Sequence, residues 1–562
     1  MTVLHLAGRG LWPLFIVAAC TGEIVSDRTP SGAGAGGLDH VPRPGQVDPS
    51  RVGSGVGTGG VPVFPGVPSP PGVLPPGGAT TAGLRKLTST QLQNALQDAF
   101  GFVSPRLATL PTDLTGTDAL DAPSTRTLLS AAEEMGQMYV AHGGPAVTTC
   151  AAAPIRAACM SEQIARLGMR LFRRPLSAAE SASFAKIYSN AAAARHEDGV
   201  ETAIAALVLS PHFLYRVDAT PVMPRPYATA ARLAFGLWGS LPDQALLDAA
   251  GSKALDTPDG LANEARRLWA DAKTKRQIRS FGQAYVPYAD IGQTARFDAA
   301  GKVFSPTTLG YFEAETDAYV DAMFAEKADF ATFLAGNTSH LNKTLAAFYG
   351  ATGPKSDTAF VKTPLPSTRA GLLLQASLLS SLSHEKEASP ILRGGFIRRR
   401  LLCDALPDPP AEVGDPEPPM PGVSQRRRLE KHRGAPDCAA CHVFIDAIGF
   451  GLEKYDQLGA RTDVVSGTPV TGAGELTSMA GEGTFKFTDG PELARYLAAS
   501  EKVQRCFVRT IFVAMSGQPM DDVTEARIEP VFQAFKREGL KISSLPALIA
   551  ASGTFHASGG RP

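Results

Sequence analysis

The chain has 562 residues, of which 44% are hydrophobic and 7% aromatic, so it is long enough for several domains with cores of their own. Lysine and arginine together number 54, and aspartate and glutamate also number 54, which gives a net charge of zero. This balance argues against nucleic acid as the main partner. Frequent alanine and leucine favour a mainly α-helical fold.

The first twenty residues have the pattern of an export signal. His5 and Arg9 precede a short apolar run at 11–17, which is too short to cross a bilayer as a mature helix. The sequence Val17-Ala18-Ala19-Cys20 resembles the lipobox of bacterial lipoproteins, in which the cysteine is lipidated and becomes the new N-terminus. We therefore expect a signal peptide at 1–20 and a membrane anchor at Cys20. The alternative is an ordinary secretory signal with a chance cysteine.

This signal predicts that the protein resides in the cell envelope, facing the periplasm or as an outer-membrane lipoprotein. Residues 21–83 are dominated by glycine and proline and cannot bury enough apolar surface to offset the entropy of ordering. We expect them to be a disordered tether with a typical span of roughly 40–45 Å. No later segment has enough consecutive apolar residues for a transmembrane helix.

Residues 84–360 carry helical signals throughout. Thr88 and Gln91 can cap a helix that stops at Gly101, and apolar residues then recur at helical spacing in several segments. These signals predict three helical domains, at 84–148, 149–222 and 223–360. The segments with helical spacing are 164–172, 203–209, 230–238, 260–270 and 311–324.

The C-terminal part combines a stiff connector with a short cysteine motif. Seven prolines lie between Leu406 and Gly422, and proline favours extended backbone. We expect a fourth domain at 361–463, which holds this connector and the motif, and a C-terminal domain at 464–562. The best strand candidates are 464–470 and 483–487. The predicted fold is thus mainly α: a multi-domain helical body followed by a small module that carries the cysteine motif.

The motif is Cys438-Ala439-Ala440-Cys441-His442, which predicts one covalent haem c. Two thiols three residues apart can add to the two haem vinyl groups, and the adjacent imidazole can bind the iron. A zinc site needs four ligands, but no second Cys-x-x-Cys or paired histidines follow. A thioredoxin-like dithiol belongs at a helix start in a βαβ context, which the sequence does not show. These remain the alternatives to haem, and with haem the small module is expected to be cytochrome-c-like.

The second axial ligand must come from the opposite face of the haem. Ile445 is too close to His442 in the chain for a residue there to reach across. We favour Met479, in a glycine-rich loop downstream of the motif. The alternatives are Met515, Met520, His432 and an open iron position. Met515 lies on an apolar helix, where packing in a core is the commoner role.

Four further cysteines should form disulfides, because export places them in an oxidising compartment. Cys150 and Cys159 are separated by a short run that can turn back on itself, so they should pair locally. Cys403 and Cys506 should then pair and fasten the haem module to the helical body. Two buried free thiols are the alternative to this second bridge.

The residues around the motif resemble a family of planctomycete and myxobacterial cytochrome-like proteins built from consecutive domains of unknown function. The resemblance covers nearly the whole chain after Leu84 and implies an exported haem protein without an established substrate. One departure is Ile445, where the family usually has methionine. The matching stretches are 87–101, 172–176, 209–216, 232–243, 341–342, 371–377, 389–394, 429–433, 446–461 and 552–555.

Several charged stretches in this resemblance have two interpretations. Residues 398–400 and 426–428 each contain three arginines, which could neutralise haem propionates, attract an acidic redox partner or form solvated helix faces. His384 to Glu387 is a polar cluster that suits a surface loop or the edge of a haem pocket. Arg173 and Arg174 suit a helix terminus better than a site.

One-electron transfer to or from a redox partner protein in the envelope is the function that these features favour. A single haem on an exported, tethered chain suits such a relay. A haem-dependent, peroxidase-like oxidoreductase is an alternative, which requires an open or displaceable distal position. A third is a binding or scaffold lipoprotein with an accessory haem. The sequence contains no hydrolase triad order or phosphate-binding loop that would support another enzyme class.

Overall fold

The computed structural model describes residues 84–110, 121–153, 156–217, 220, 223–289, 291–298, 300–406, 423, 425–432, 436–465, 467–481 and 483–556. The predicted signal peptide with Cys20, the predicted tether and the proline-rich stretch 407–422 lie outside these residues. The described part is mainly helical, as the composition predicts. It contains no helix that is both long enough and apolar enough to span a bilayer.

The N-terminal core is built from the buried side chains of helices between residues 84 and 217. Helix α1 has the predicted ends: Thr88 and Gln91 form a reciprocal capping box, and Gly101 terminates the helix at φ +84°. Strands β1 (Leu84–Lys86) and β2 (Tyr215–Val217) pair antiparallel and join the two ends of this region. The helices are α1 (Ser89–Phe100), α2 (Ala122–Ala141), α3 (Pro145–Ala151), α4 (Arg156–Phe172), α5 (Ala178–Ala191), α6 (His196–Leu209) and α7 (Pro211–Leu214).

The middle of the chain forms seven further helices in its described part. The predicted helical segments at 230–238, 260–270 and 311–324 are confirmed as parts of α8, α10 and α12, defined below. Strands β3 (Thr338–Leu341) and β4 (Val361–Pro364) pair antiparallel beside them. The helices are α8 (Arg225–Trp238), α9 (Gln244–Gly251), α10 (Pro258–Trp269), α11 (Thr274–Tyr285), α12 (Pro306–Ala325), α13 (Phe330–Ala335) and α14 (Lys343–Tyr349).

The C-terminal part alternates helices with two small hairpins. Helix α16 continues into a π-helical turn at Ile397–Leu401, and α17 and α18 flank the residues just before the cysteine motif. The helices are α15 (Ala376–Ser381), α16 (Pro390–Phe396), α17 (Gln425–His432), α18 (Pro436–Phe450), α19 (Gly490–Ala499), α20 (Glu501–Ser516), α21 (Glu525–Arg537), α22 (Leu545–Ala551) and α23 (Gly553–His556).

The two predicted strands correspond to hairpins. The expectation of one strand over 464–470 is wrong in detail: β5 (Val464–Val465) and β6 (Thr468–Pro469) pair with each other, because Gly467 adopts φ +76° and the chain reverses there. The strand expected at 483–487 is confirmed as β8 (Thr484–Phe487), which pairs with β7 (Gly474–Thr477).

A central core unites the middle and the C-terminal parts of the chain. Trp238 of α8, Ile448 of α18 and Phe507 of α20 are all at most 1% exposed and belong to the same apolar cluster. Helix α18 is therefore built into this shared core, and within the described residues the expected small haem module has no separate core. A single helix and two short hairpins offer too little apolar surface to form one.

Candidate functional site

Helix α18 carries the cysteine motif on its first turns. Its apolar side faces the protein, with Ile445, Ile448 and Phe450 at most 7% exposed. Cys441 is partly exposed and forms no disulfide, and Val443 beside it is 54% exposed. Cys438 lies on the same helix, but its side chain is outside the described part of the structure. The first half of α18 thus places the thiol of Cys441 near the surface, while its end is packed in the core.

The imidazole of His442 is held by a carboxylate one helical turn further on. Its Nδ1 lies 2.9 Å from Oδ1 of Asp446, whose side chain is 0% exposed, and the imidazole itself is only 13% exposed. Because an ionised carboxylate only accepts hydrogen bonds, Nδ1 is the donor in this pair. Nε2 is then the ring nitrogen that can bind a metal ion.

Two glycines let α16 approach α18 very closely. A Cβ atom on Gly394 would lie 1.9 Å from the carbonyl oxygen of Ile445, and a Cβ atom on Gly449 would lie 1.9 Å from the carbonyl oxygen of Pro390. No side chain larger than hydrogen fits at either position without movement of the backbone. The motif helix is therefore fixed against α16 by backbone-to-backbone contact.

Arg398 connects three segments around the motif helix. Its side chain is 1% exposed and donates from Nε to the carbonyl of Phe444 on α18 at 3.0 Å. Its other nitrogens donate to the carbonyl of Thr477 on β7 and to Oδ2 of Asp404 at 3.1 Å. Asp404 also pairs with Lys502 of α20 at 2.5 Å. This Arg398 clamp ties α18, β7 and α20 together, so Arg398 is not part of a solvated helix face.

Met479 lies in the turn between β7 and β8. Gly474 at the start of β7 lies against Ala447, and Thr477 at its end shares Arg398 with Phe444. Strand β7 therefore runs along α18 towards the motif, and Met479 follows two residues later. Its side chain is 37% exposed, so it is not used for core packing.

The other proposed distal ligands lie in different surroundings. Met515 is 1% exposed and packs against Gly236 of α8, which is the core role that its apolar helix suggested. Met520 begins a short 3₁₀ turn at Met520–Asp522 and packs against the central core. His432 is the last residue of α17, and its side chain lies outside the described part. Of the methionines considered, Met479 combines exposure with a strand that leads to the motif.

The two predicted disulfides are present. Cys150 pairs with Cys159 with their Cα atoms 5.4 Å apart, and Cys403 pairs with Cys506 at 5.6 Å. Cys403 is adjacent to Asp404 in the chain, and Cys506 lies one turn after Lys502 on α20. The disulfide and the Asp404–Lys502 ion pair therefore fasten the same two segments, beside the Arg398 clamp.

Several motif residues serve the fold instead of a site. Arg173 is fully buried and donates to the carbonyls of His212, Phe213 and Tyr215, so two of the matching stretches meet in the N-terminal core. Arg393 is equally buried and donates to the carbonyls of Leu452, Tyr455 and Asp456. Each guanidinium satisfies carbonyl groups that end or follow a helix.

The polar cluster before α16 is a loop that contacts α17. Its ends, Ser383 and Ala388, form an antiparallel bridge, and Glu387 pairs with Arg428. Burial raises the pKa of Glu387, although Arg428 partly opposes this effect. Arg426 in turn pairs with Glu453 at 3.2 Å. Arg426 and Arg428 therefore each have a carboxylate partner within the protein itself.

Sequence reasoning missed three residues near the motif: Arg398 as a clamp, Asp404 as its partner and Asp446 as the partner of His442. Asp446 follows His442 by four residues, which places both on the same face of a helix, so the helical spacing was a usable signal. Arg398 and Asp404 gave no comparable signal, because their contacts join segments that are distant in the chain.

Three family models match the chain in succession. PSD5, a protein of unknown function (DUF1595), matches residues 159–218; PSD4, a protein of unknown function (DUF1592), matches 225–351; and PSCyt3, a protein of unknown function (DUF1588), matches 369–464. The last match contains α18 with its motif, the Arg398 clamp and Asp446. Comparison with curated proteins and with solved structures finds no match.

Proposed function

We propose that this chain, which has three consecutive DUF1595, DUF1592 and DUF1588 domains in the planctomycete-type, cytochrome-c-like multidomain arrangement, is an exported c-type haem protein that transfers single electrons in the cell envelope. The observation that carries the proposal is the arrangement at the start of α18. There, an unpaired thiol adjoins a histidine whose Nδ1 is held by a buried carboxylate.

In this proposal each residue of the motif has a separate task. Cys438 and Cys441 would hold haem by adding their thiols to its two vinyl groups, and His442 would bind its iron through Nε2 while Asp446 holds the imidazole ring in place. When bound, haem supplies an iron that accepts and releases one electron. The sequence supports haem over a closed zinc site, since zinc needs four ligands and no second Cys-x-x-Cys or paired histidines follow the motif.

Met479 is the proposed second axial ligand. The support is positional: β7 leads along α18 towards the motif, and the exposed side chain of Met479 lies at the end of this path. Replacement of Met479 by alanine should leave a bound haem iron more accessible to a small ligand. Ferrous haem should then bind carbon monoxide in the variant faster than in the wild type, and equal rates in the two proteins would exclude Met479 as a ligand.

Haem attachment is tested on protein matured in the periplasm. The wild type should keep a haem stain through denaturing electrophoresis, and the Cys438→Ala/Cys441→Ala variant should lose it. The matched control is Cys150→Ala/Cys159→Ala, which also removes two cysteines but lies in the N-terminal core. A stain that persists without Cys438 and Cys441 would refute the proposal.

A haem-dependent oxidoreductase is a second candidate, and one specific observation favours it. The buried Asp446 would make His442 a stronger electron donor to a bound iron, and strong electron donation from a ligating residue would support peroxide reduction. This candidate requires an accessible iron. Immediate binding of carbon monoxide by the ferrous wild type, together with peroxide turnover, would favour it over electron transfer.

The proposed location follows from residues 1–83. Lipidated Cys20 anchors the protein in the membrane, and the glycine- and proline-rich tether gives it reach towards a redox partner protein. Wild-type protein should partition into detergent, whereas Cys20→Ser should remain in the aqueous phase or stay unprocessed. The haem-free Cys438→Ala/Cys441→Ala variant should still partition with detergent. Identical partitioning of the wild type and Cys20→Ser would exclude the anchor.

A further inference from the structure

The carboxylate of Asp446 is the most completely buried acidic group beside the motif. Its side chain is 0% exposed, and its Oδ1 lies 2.9 Å from Nδ1 of His442. A buried carboxylate interacts more strongly with nearby charge than one in water, because the protein interior screens charge weakly. Glu453, further along in the same part of the chain, is also buried and pairs with the guanidinium of Arg426 at 3.2 Å.

We propose that Asp446 is a positioning residue that fixes the ring of His442 and lowers the reduction potential of the haem. This inference rests on the proposed function, since it concerns the haem that His442 would bind. A histidine that donates its second N–H to a carboxylate is a stronger electron donor to its metal. The oxidised iron carries one more positive charge than the reduced iron, so a nearby buried negative charge favours the oxidised state.

The local structure explains why Asp446 can act on His442 in this way. The two residues are four apart on α18, so the helix itself sets their spacing. The next turn of the helix is held in place by the close contact between Gly449 and Pro390, which leaves the backbone around Asp446 little freedom to move. The carboxylate is therefore preorganised and needs no rearrangement when the charge of the iron changes.

A merely structural role for Asp446 makes a different prediction. If Asp446 only stabilised α18, its replacement would change the free energy of unfolding and leave the haem spectrum and potential unchanged. Asparagine keeps the size of the side chain and one oxygen that can accept from Nδ1, but it removes the charge. Asp446→Asn therefore separates the electrostatic effect from the hydrogen bond.

The test uses the haem-loaded full chain. Asp446→Asn should raise the reduction potential above that of the wild type, and in a Met479→Ala background it should lower the iron–histidine stretching frequency of the ferrous protein. Asp446→Glu keeps the charge and should give a lower potential than Asp446→Asn. The matched control Glu453→Gln also neutralises a buried carboxylate, but one that pairs with Arg426, and it should leave the stretching frequency unchanged.

The outcomes separate this inference from the proposed function. Wild-type protein without bound haem would refute the proposed function and the inference with it. Wild type and Asp446→Asn with full haem content and equal potentials would overturn the inference alone. If Asp446→Asn loads haem poorly, Asp446→Glu decides: a potential well above that of the wild type, despite the retained charge, would also overturn the electrostatic role.

Discussion

The disulfide of the N-terminal core and the disulfide beside α18 close loops of very different length. Cys150 and Cys159 lie 9 residues apart and join α3 to α4, whereas Cys403 and Cys506 lie 103 residues apart. The longer loop contains the motif helix, the β7–β8 hairpin and α19. The N-terminal core is therefore fastened locally, while the motif region is fastened as a unit to α20.

Arg173 and Arg398, one buried arginine from each region, also differ in how many elements they connect. Arg173 in the N-terminal core donates to three carbonyls within one short stretch, and burial lowers its pKa to about 9. Arg398 donates to carbonyls on two separate elements and is paired with Asp404. The comparison teaches that Arg173 binds the carbonyls of one stretch, whereas Arg398 joins two separate elements and also pairs with a carboxylate.

Removal of each disulfide gives the largest expected effects and tests the comparison directly. Cys403→Ser/Cys506→Ser should lower the free energy of unfolding by about 4–5 kcal/mol, because the loop is about a hundred residues long. Cys150→Ser/Cys159→Ser should cost less, about 3 kcal/mol, because its loop is short. Denaturant titration of both variants measures the difference. Equal losses would show that loop length does not control the two contributions.

Replacement of the two arginines sharpens the second comparison. Arg398→Met removes one of the two cations that pair with the buried Asp404 and strands the carbonyls of Phe444 and Thr477, so it should destabilise the protein by about 3 kcal/mol. Adding Asp404→Leu should restore part of this loss, since it removes a buried charge that has lost one of its partners. Arg173→Met strands carbonyl groups at about 1–3 kcal/mol, and no single second substitution can remove them. The measurement is the unfolding free energy of the three variants, and a double variant no more stable than Arg398→Met would contradict the clamp.

The glycines of α16 provide a matched pair of substitutions. Gly394→Ala should destabilise the contact with α18 by about 1–3 kcal/mol, because its Cβ would meet the carbonyl of Ile445 at 1.9 Å. Gly395→Ala is the control: its Cβ would meet nothing within 4 Å, and alanine favours a helix over glycine by about 1 kcal/mol. Thermal unfolding should therefore move in opposite directions for these neighbours. A shift in the same direction for both would contradict the close helix contact.

Two glutamates should give the smallest effects, with opposite pH dependence. Burial acts to raise the pKa of Glu180, but hydrogen bonds from Arg174 and Ser177 outweigh it and hold the pKa at about 2, below the ordinary value of 4.5. Its stabilisation is therefore present above pH 4.5 and lost as pH falls towards 2. On α12, burial raises the pKa of Glu315 to about 7, despite hydrogen bonds from Ser339 and Tyr349.

For Glu315 the dependence of stability on pH has the opposite sign. The folded protein holds this proton more tightly than the unfolded chain, so stability should fall as pH rises from 4.5 to about 7. Glu180→Gln should flatten the acid side of the stability profile, and Glu315→Gln should flatten the side approaching neutrality. Urea midpoints across this pH range measure both effects. Profiles that are unchanged in either variant would show that the glutamate does not control its region.

Local signals in the sequence predicted the local structure correctly. The Thr88 cap, the Gly101 stop and the Cys150–Cys159 bridge depend on residues that are close in the chain, where spacing alone carries the information. The Cys403–Cys506 bridge was predictable only by elimination among the cysteines. Patterns over a few residues thus specified helix ends and a motif, but not their packing.

The remaining features depend on contacts between distant residues. Strand β1 is too short to be recognised by alternation, and it forms only because Tyr215 and its neighbours are brought beside it. The shared central core and the Arg398 clamp likewise depend on packing among segments that are separated by dozens of residues. Periodicity predicts which face of a helix is buried, but it does not identify the element that covers that face.

The Cys403–Cys506 bridge also limits which cysteines can form disulfides with the motif. Four thiols lie between residues 403 and 506, and four thiols allow three ways of pairing. Thiolates attack existing disulfides, so a motif thiol caught in a wrong pair would be lost to any later chemistry at α18. In the folded protein Lys502 pairs with Asp404 at 2.5 Å, and Cys506 is bonded to Cys403. Neither of these two cysteines is then available to pair with Cys441, which remains a thiol.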